Sequence, residues 1–211
     1  MKIRLCSSSL VLAALLSSGT AVADLSANVG LMSDYFYRGI IQNTTATANG
    51  GLDFENNGFY LGTWAADVED GLEVDLYGGY SHEFDQGLSL GVGFTGYYYT
   101  GDFDDTYEEI NLSAAFGIVS IEYSVGTYDN FGGPEQDYDF AALTLEKNGF
   151  YAKVASFGDD FSGEYFELGY GTEIGGFDVG VSLLVNDEDL DLETGDGTES
   201  LIFSISKTFE L

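Results

Sequence analysis

Three residue types that most proteins use freely are scarce in this sequence. It holds one cysteine, one proline and 6 lysines and arginines, against 36 aspartates and glutamates, for a net charge of −30. A single cysteine excludes an intrachain disulfide. The scarcity of proline leaves strands almost free of residues that cannot donate a ladder hydrogen bond. A chain this acidic repels the phosphates of nucleic acid, so we expect no nucleic-acid partner.

The first 23 residues have the layout of a secretory signal peptide. Lys2 and Arg4 form a positive start, residues 10–16 form a short apolar core, and residues 21–23 form a small-x-small cleavage site. We therefore expect residues 1–23 to be removed, and Cys6 with them. The mature chain, residues 24–211, would then be one domain whose cations are Arg38, Lys147, Lys153 and Lys207.

The sequence is rich in glycine and aromatic residues, and its apolar residues recur at every second position. There are 29 Gly, 16 Phe and 15 Tyr. The stretch LSLGVGFTGYYY (residues 88–99) alternates leucine, valine and phenylalanine on one face with serine, glycine and threonine on the other. The same alternation runs through residues 163–174 and 177–185, and it predicts strands rather than helices.

The connections between the predicted strands alternate in length. Tight turns such as residues 56–58 and 147–149 alternate with longer acidic loops, the longest at 186–199. Long strands joined in this way are typical of membrane barrels, so we predict an all-β fold, an antiparallel transmembrane β-barrel of about 12 strands. The segmentation gives strands at 25–37, 46–56, 59–69, 72–84, 88–100, 107–117, 119–128, 136–147, 150–158, 163–174, 177–187 and 199–211.

A soluble β-sandwich or lipocalin-like barrel is the alternative fold, because its strands alternate too. The second face here is mostly glycine, serine, threonine and tyrosine, which favours a wet interior over a crowded charged surface. The last strand keeps one face apolar up to Leu211. That ending resembles the C-terminal signal of outer-membrane proteins. We therefore expect a bacterial (Gram-negative) outer-membrane location, with membrane lipid and the outer-membrane assembly machinery as partners.

Catalytic residues are hard to find. His82 is the one histidine, and its neighbour Ser81 points to the opposite face of a strand, so a nucleophile–base pair between them is disfavoured. We expect no enzyme, no cofactor and no metal site. In the loop at 186–199, Asp187, Asp189 and Asp191 alternate as they do in calcium loops, but the full EF-hand pattern is missing, so a solvated loop and a Ca²⁺ site both stay open.

The stretch SDYFYRGI (residues 33–40) places one of the few cations among tyrosines. If the first strand continues through it, Tyr35 and Tyr37 join the lipid face as an aromatic girdle. Arg38 then falls on the lumen face or at the rim, close to Asp34. We interpret Arg38 as a charge–charge brace in the lumen, with an arginine in water at the rim as the alternative.

The first third of the chain resembles the TorF-type porins, a family of bacterial outer-membrane proteins. The matching residues are Ser33, Asp34, Tyr35, Arg38, Gly39, Gly58, Phe59, Tyr60 and Trp64, whereas Ile41, Gln42 and Asn43 stand where the family has serine, glutamine and threonine. The resemblance implies an outer-membrane barrel of the porin type and brings no established substrate.

The predicted function is an outer-membrane, porin-like channel for small solutes that prefers cations. Its lumen and selectivity candidates, taken from strand parity, are Asp34, Arg38, Asp53, Glu55, Glu73, Asp75, Glu109, Glu122, Lys153, Glu167, Glu173 and Asp178. Two alternatives remain, a barrel plugged by its own side chains with a structural or adhesive role, and an outer-membrane lipid hydrolase. The narrow lumen expected at this strand number makes plugging a real alternative.

Overall fold

A computed structural model describes residues 24–192 and 194–211. The predicted signal peptide and Cys6 lie outside the described residues, so their assignment stays a prediction. In these two ranges the chain forms fourteen strands, which are β1 (Asp24–Met32), β2 (Tyr35–Tyr37), β3 (Ile40–Asn43), β4 (Thr47–Asn56), β5 (Phe59–Val68), β6 (Gly71–Glu83), β7 (Leu88–Tyr99), β8 (Tyr107–Phe116), β9 (Val119–Tyr128), β10 (Gln136–Lys147), β11 (Phe150–Asp159), β12 (Glu164–Ile174), β13 (Phe177–Asn186) and β14 (Glu199–Glu210).

Twelve of these strands close into one antiparallel barrel, which confirms the predicted fold class. Each strand pairs with its sequence neighbour, and β1 closes the ring by pairing with β14 on one side and β4 on the other. The closing register runs from Ser26 opposite Glu210 to Met32 opposite Ser204. Closure satisfies every edge of the sheet, as a bilayer requires. No helix in the described residues is long and apolar enough to cross a membrane.

The two faces of the wall differ in chemistry, as the alternation predicts. Leucine, valine, isoleucine and phenylalanine side chains stand exposed on the outer face, for example Leu90, Val92 and Phe94 on β7. Ser89 and Thr95 of the same strand are buried on the inner face. An apolar outer face and a polar inner face are the inverse of a soluble protein, and they are what a barrel in lipid needs.

The barrel has one end of short turns and one end of long loops. At the short end, Asn57–Gly58 and Asn148–Gly149 take positive φ at both positions, 52° and 86° in the first pair and 53° and 84° in the second. Consecutive positive φ values are those of a type I′ hairpin turn, for which Asn-Gly is the favoured pair. The loop end carries the acidic connections, including the 186–199 segment.

The first predicted strand, 25–37, extends five residues beyond the end of the observed barrel strand. Barrel strand β1 stops at Met32, and β2 and β3 form a separate two-stranded sheet. The hydroxyl of Ser33 accepts a hydrogen bond from the backbone N–H of Phe203 at 3.0 Å, so a side chain takes the place of a ladder carbonyl and the chain leaves the wall. Met32 lies directly opposite Thr47, so residues 33–46 begin and end side by side. We call residues 33–46 the inward hairpin.

Candidate functional site

The inward hairpin turns at Arg38 and Gly39. Their φ values, 47° and 87°, match those of the Asn-Gly turns at the other end of the barrel. Gly39 is required here for space as well, because a Cβ on it would lie 2.8 Å from the Tyr165 ring and 2.9 Å from Leu190. An Arg-Gly pair therefore makes a tight turn that carries a guanidinium at its tip.

Arg38 reaches across the lumen to two strands of the wall. Its Nη1 and Nη2 donate to the two carboxylate oxygens of Glu109 at 2.7 and 3.0 Å, and Nη2 also donates to Glu122 at 2.8 Å and to Ser124 Oγ at 3.1 Å. The guanidinium carbon lies 4.1 Å from the centre of the Phe140 ring, within cation–π distance. Burial alone would lower the pKa of Arg38, but the Glu109 carboxylate raises it well above its usual value.

The ion-pair partners of Arg38 differ from Asp34, the neighbour that the sequence suggested. In the described part of the chain, the ion pairs of Arg38 are with Glu109 and Glu122, and Asp34 instead accepts a hydrogen bond from Ser33 Oγ at 2.7 Å. Arg38 itself is 6% exposed, so the rim alternative does not describe it. The expected girdle is also wrong for Tyr35, which is buried inside because it belongs to the hairpin and not to β1.

A second cluster of acids lies on β6. The Glu73 carboxylate is fully buried and accepts hydrogen bonds from the hydroxyls of Tyr35 and Tyr99. Asp75, two residues further on, is 6% exposed, and its Oδ1 has no hydrogen-bond partner among the described residues. Both carboxyl groups therefore belong to the buried lining of the lumen.

The rest of the hairpin packs on apolar side chains. Phe36 belongs to a buried cluster on strands β10 to β14 and the long loop, whose other members are Phe140, Ala142, Ala155, Tyr165, Leu184, Leu190 and Ile202. Tyr35 belongs to the opposite cluster, with its ring centre 5.6 Å from Trp64 in an edge-on contact. The hairpin therefore contacts two opposite sides of the lumen wall at this level.

The other predicted lumen residues lie away from the hairpin tip. Lys153 is buried on β11 opposite Glu167 of β12, and Glu167 accepts a hydrogen bond of 2.5 Å from Tyr151. Asp53 and Glu55 are half-buried on β4, with Asp53 bonded to Tyr77 at 2.5 Å. Glu173 and Asp178 face each other beside the 175–176 turn at the short-turn end, where Glu173 is exposed and Asp178 is half-buried.

Three polar residues of the site were not singled out from the sequence. Asn111 donates to Glu109 at 2.6 Å and to Ser124 at 3.0 Å, and Asn186 donates to the Gly39 carbonyl at 2.7 Å. Asn111 and Ser124 stand two residues from Glu109 and Glu122, so strand parity places them on the same face. Asn186 ends β13 next to the long loop, and no sequence signal connects it with a glycine 147 positions away.

The residues considered for catalysis and for calcium binding lie away from the hairpin tip. His82 is exposed on the outer face, stacked on Tyr80 and edge-on to Phe84. In the long loop, Asp191 accepts hydrogen bonds from Thr194 and Thr198. No group of three or more histidine, aspartate or glutamate side chains within 24–192 and 194–211 is arranged to hold a metal ion.

Solved structures with a similar fold are outer-membrane porins. A KdgM porin superposes with a TM-score of 0.58 at 8% identity, over 88% of this chain and 99% of that one. A KdgM porin in complex with disordered oligogalacturonate gives a TM-score of 0.55 at 7% identity, over 89% and 99% of the two chains. At such low identity the similarity shows the fold alone. No curated protein matches the sequence.

One family model matches residues 17–196, which is most of the chain. The match covers the hairpin, both acidic clusters and nearly all of the barrel strands. The chain belongs to the family described as bacterial protein of unknown function (Gcw_chp).

Proposed function

We propose that this protein is a porin-like channel of the bacterial outer membrane, related to the TorF-type porins, that admits small solutes and prefers cations. The proposal is carried by the lumen's charge. The inner face of the barrel strands carries Asp53, Glu55, Glu109, Glu122 and Glu167, whereas the buried cations among the described residues are Arg38 on the hairpin and Lys153 on β11. A narrow path between low-dielectric walls focuses that negative field, which concentrates cations and holds back anions.

The shared fold with the KdgM porins supports the channel, and the apolar outer face supports the membrane location. One of these KdgM porins is in complex with disordered oligogalacturonate, an acidic sugar chain, but the acid-rich lumen here favours the opposite charge. We therefore infer cations rather than acidic sugars as the favoured solutes.

The test is the reversal potential of purified protein in a planar bilayer across a potassium chloride gradient. We expect cation preference that shrinks as salt rises, because screening acts over roughly 10 Å at about 0.1 M salt. The substitution Asp53→Asn, at a half-buried carboxylate on the inner face of β4, should lower the cation-to-anion permeability ratio. Glu108→Gln, which removes one charge from an exposed position beside Glu109, is the matched control and should leave the ratio unchanged. Anion preference in the wild-type protein would refute the proposed selectivity.

The inward hairpin favours a second candidate, a barrel closed by its own chain that serves a structural or adhesive role. The hairpin's aromatic side chains pack against both sides of the lumen, which narrows any path past them. The same bilayer experiment separates the two candidates. A barrel that passes no ions with the hairpin present or deleted is a structural protein, and one that conducts is a channel.

A further inference from the structure

The Arg38 cluster is assembled from two separate pieces of the chain. The guanidinium comes from the tip of the inward hairpin. Its partners, Glu109, Glu122, Ser124 and Phe140, all lie on three adjacent strands of the wall, β8 to β10. We call these four side chains the wall pocket. It offers a carboxylate for a bidentate pair, a second carboxylate, a hydroxyl and an aromatic face, which together are the groups that recognise a guanidinium.

The wall pocket is held in shape by bonds that do not involve Arg38. Glu109 accepts hydrogen bonds from Tyr97 at 2.8 Å, Tyr138 at 2.9 Å and Asn111 at 2.6 Å. Asn111 also donates to Ser124 at 3.0 Å. A carboxylate fixed by three donors from the wall keeps its orientation when the hairpin leaves, so the pocket is preorganised for a ligand.

Charge makes the pocket attractive to a cation once it is empty. With Arg38 in place, two carboxylates face one guanidinium. Without Arg38, two carboxylates lie close together in a buried site, and such a pair gains stability from any cation that fits.

The hairpin is attached in a way that lets it leave. Its strands form their own sheet and are not part of the barrel ladder. At its root, Ser33 donates its N–H to the Phe203 carbonyl at 2.8 Å. Beyond Ser33, the hydrogen bonds between residues 35–43 and the wall each involve a side chain, among them Tyr35 to Glu73 and Asn186 to Gly39. Undocking therefore breaks side-chain contacts and leaves the barrel's backbone hydrogen bonds intact.

We propose that the wall pocket is a binding site for small solutes that carry a guanidinium group, and that Arg38 occupies it as a tethered competitor. The pocket's place on a solute path rests on the proposed channel function, whereas the binding site itself does not. A group tethered by a short hairpin acts at an effective concentration on the order of millimolar, so a free guanidinium must exceed that level to displace Arg38.

The experiment measures methylguanidinium binding to the detergent-purified barrel by calorimetry at constant ionic strength. Arg38→Ala removes the competitor and keeps the hairpin. A second variant replaces residues 33–46 with Asn-Gly, which suits the two-residue gap between Met32 and Thr47. We expect both variants to bind methylguanidinium at least about tenfold more tightly than the wild type. Circular dichroism establishes that each variant keeps its strands.

Two controls test the chemistry of the pocket. Adding Glu109→Gln and Glu122→Gln to the deletion variant should abolish binding. Tetramethylammonium, which has no N–H group to donate, should bind at least about tenfold more weakly than methylguanidinium. Equal binding by wild type and deletion, binding that survives the glutamine substitutions, or no saturable binding by a folded deletion variant would each overturn the proposal.

The outcomes keep this site distinct from the channel proposal. A deletion variant that binds methylguanidinium but passes no current would contradict the channel and leave the site standing. A conducting barrel without such binding would do the reverse.

Discussion

On strands β6 to β9 the lumen wall meets the hairpin with carboxylates and a hydroxyl, whereas on strands β10 to β14 it meets the hairpin mostly with apolar side chains. Glu73 and Glu109 bond to Tyr35 and Arg38 on the first side. On the second side, Phe36 packs among aliphatic and aromatic groups. The hairpin thus has one side that adds directed polar bonds to aromatic packing and one side held mainly by packing.

The two sides stabilise the docked hairpin by different amounts. A buried phenylalanine contributes about 3–5 kcal/mol when judged by its replacement with alanine. A hydrogen bond to a charged group contributes about 1.5–3 kcal/mol, and a buried ion pair contributes little net stability because both charges lose water. We infer that the apolar side provides most of the docking free energy, and that the charged side sets where the hairpin tip rests.

The largest expected effect, on conductance, comes from deleting the hairpin and with it both of its docked sides. Replacing residues 33–46 with Asn-Gly should raise single-channel conductance several-fold, because the hairpin spans the lumen and narrows the path through it. The matched control replaces residues 129–135, an exposed loop between the paired Tyr128 and Gln136, with the same two residues. That control should leave conductance near the wild-type value. Equal conductance of wild type and hairpin deletion would mean that the hairpin does not block the path.

Phe36→Ala should give the next largest effect, because it weakens the packing side alone. Undocking exposes Arg38 to trypsin, so cleavage after Arg38 measures the undocked population, and cleavage after the exposed Lys147 serves as the internal reference. A loss of about 3 kcal/mol corresponds to roughly a hundredfold increase in relative cleavage after Arg38. Phe166→Ala, an exposed phenylalanine on the outer face of β12, is the control and should not change the ratio.

Period-two alternation predicted the barrel well because each wall strand obeys one simple condition, lipid on one side and lumen on the other. Ser89 and Leu90, or Glu109 and Ile110, follow it strictly. The same rule placed Glu73, Asp75 and Glu122 on the inner face. Where the chain meets a different environment the rule no longer applies, and the hairpin is that place.

Residues 33–37 continue the alternation of β1, so nothing in their pattern announces that the strand has ended. The one sequence signal of a turn here is the Arg38-Gly39 pair, because it ends in glycine. In the structure its φ values match those of the Asn-Gly turns. The partners of Arg38 lie 71 and 84 positions along the chain, and only closure of the barrel brings them together. Strand parity can say that Glu109 and Glu122 point inward, but it cannot say which cation they meet.

The smallest expected effect is that of Tyr35→Phe, which weakens the polar side and keeps the ring against Trp64. It removes one hydrogen bond to Glu73, while Tyr99 still donates to that carboxylate at 3.0 Å. The loss should therefore fall near the low end of about 1.5–3 kcal/mol, and cleavage after Arg38 should rise about tenfold relative to Lys147. Tyr123→Phe removes an exposed tyrosine–aspartate bond on the outer face and is the matched control. If Tyr35→Phe released the hairpin more than Phe36→Ala, the polar side would be the stronger anchor, and the order of the two sides would have to be reversed.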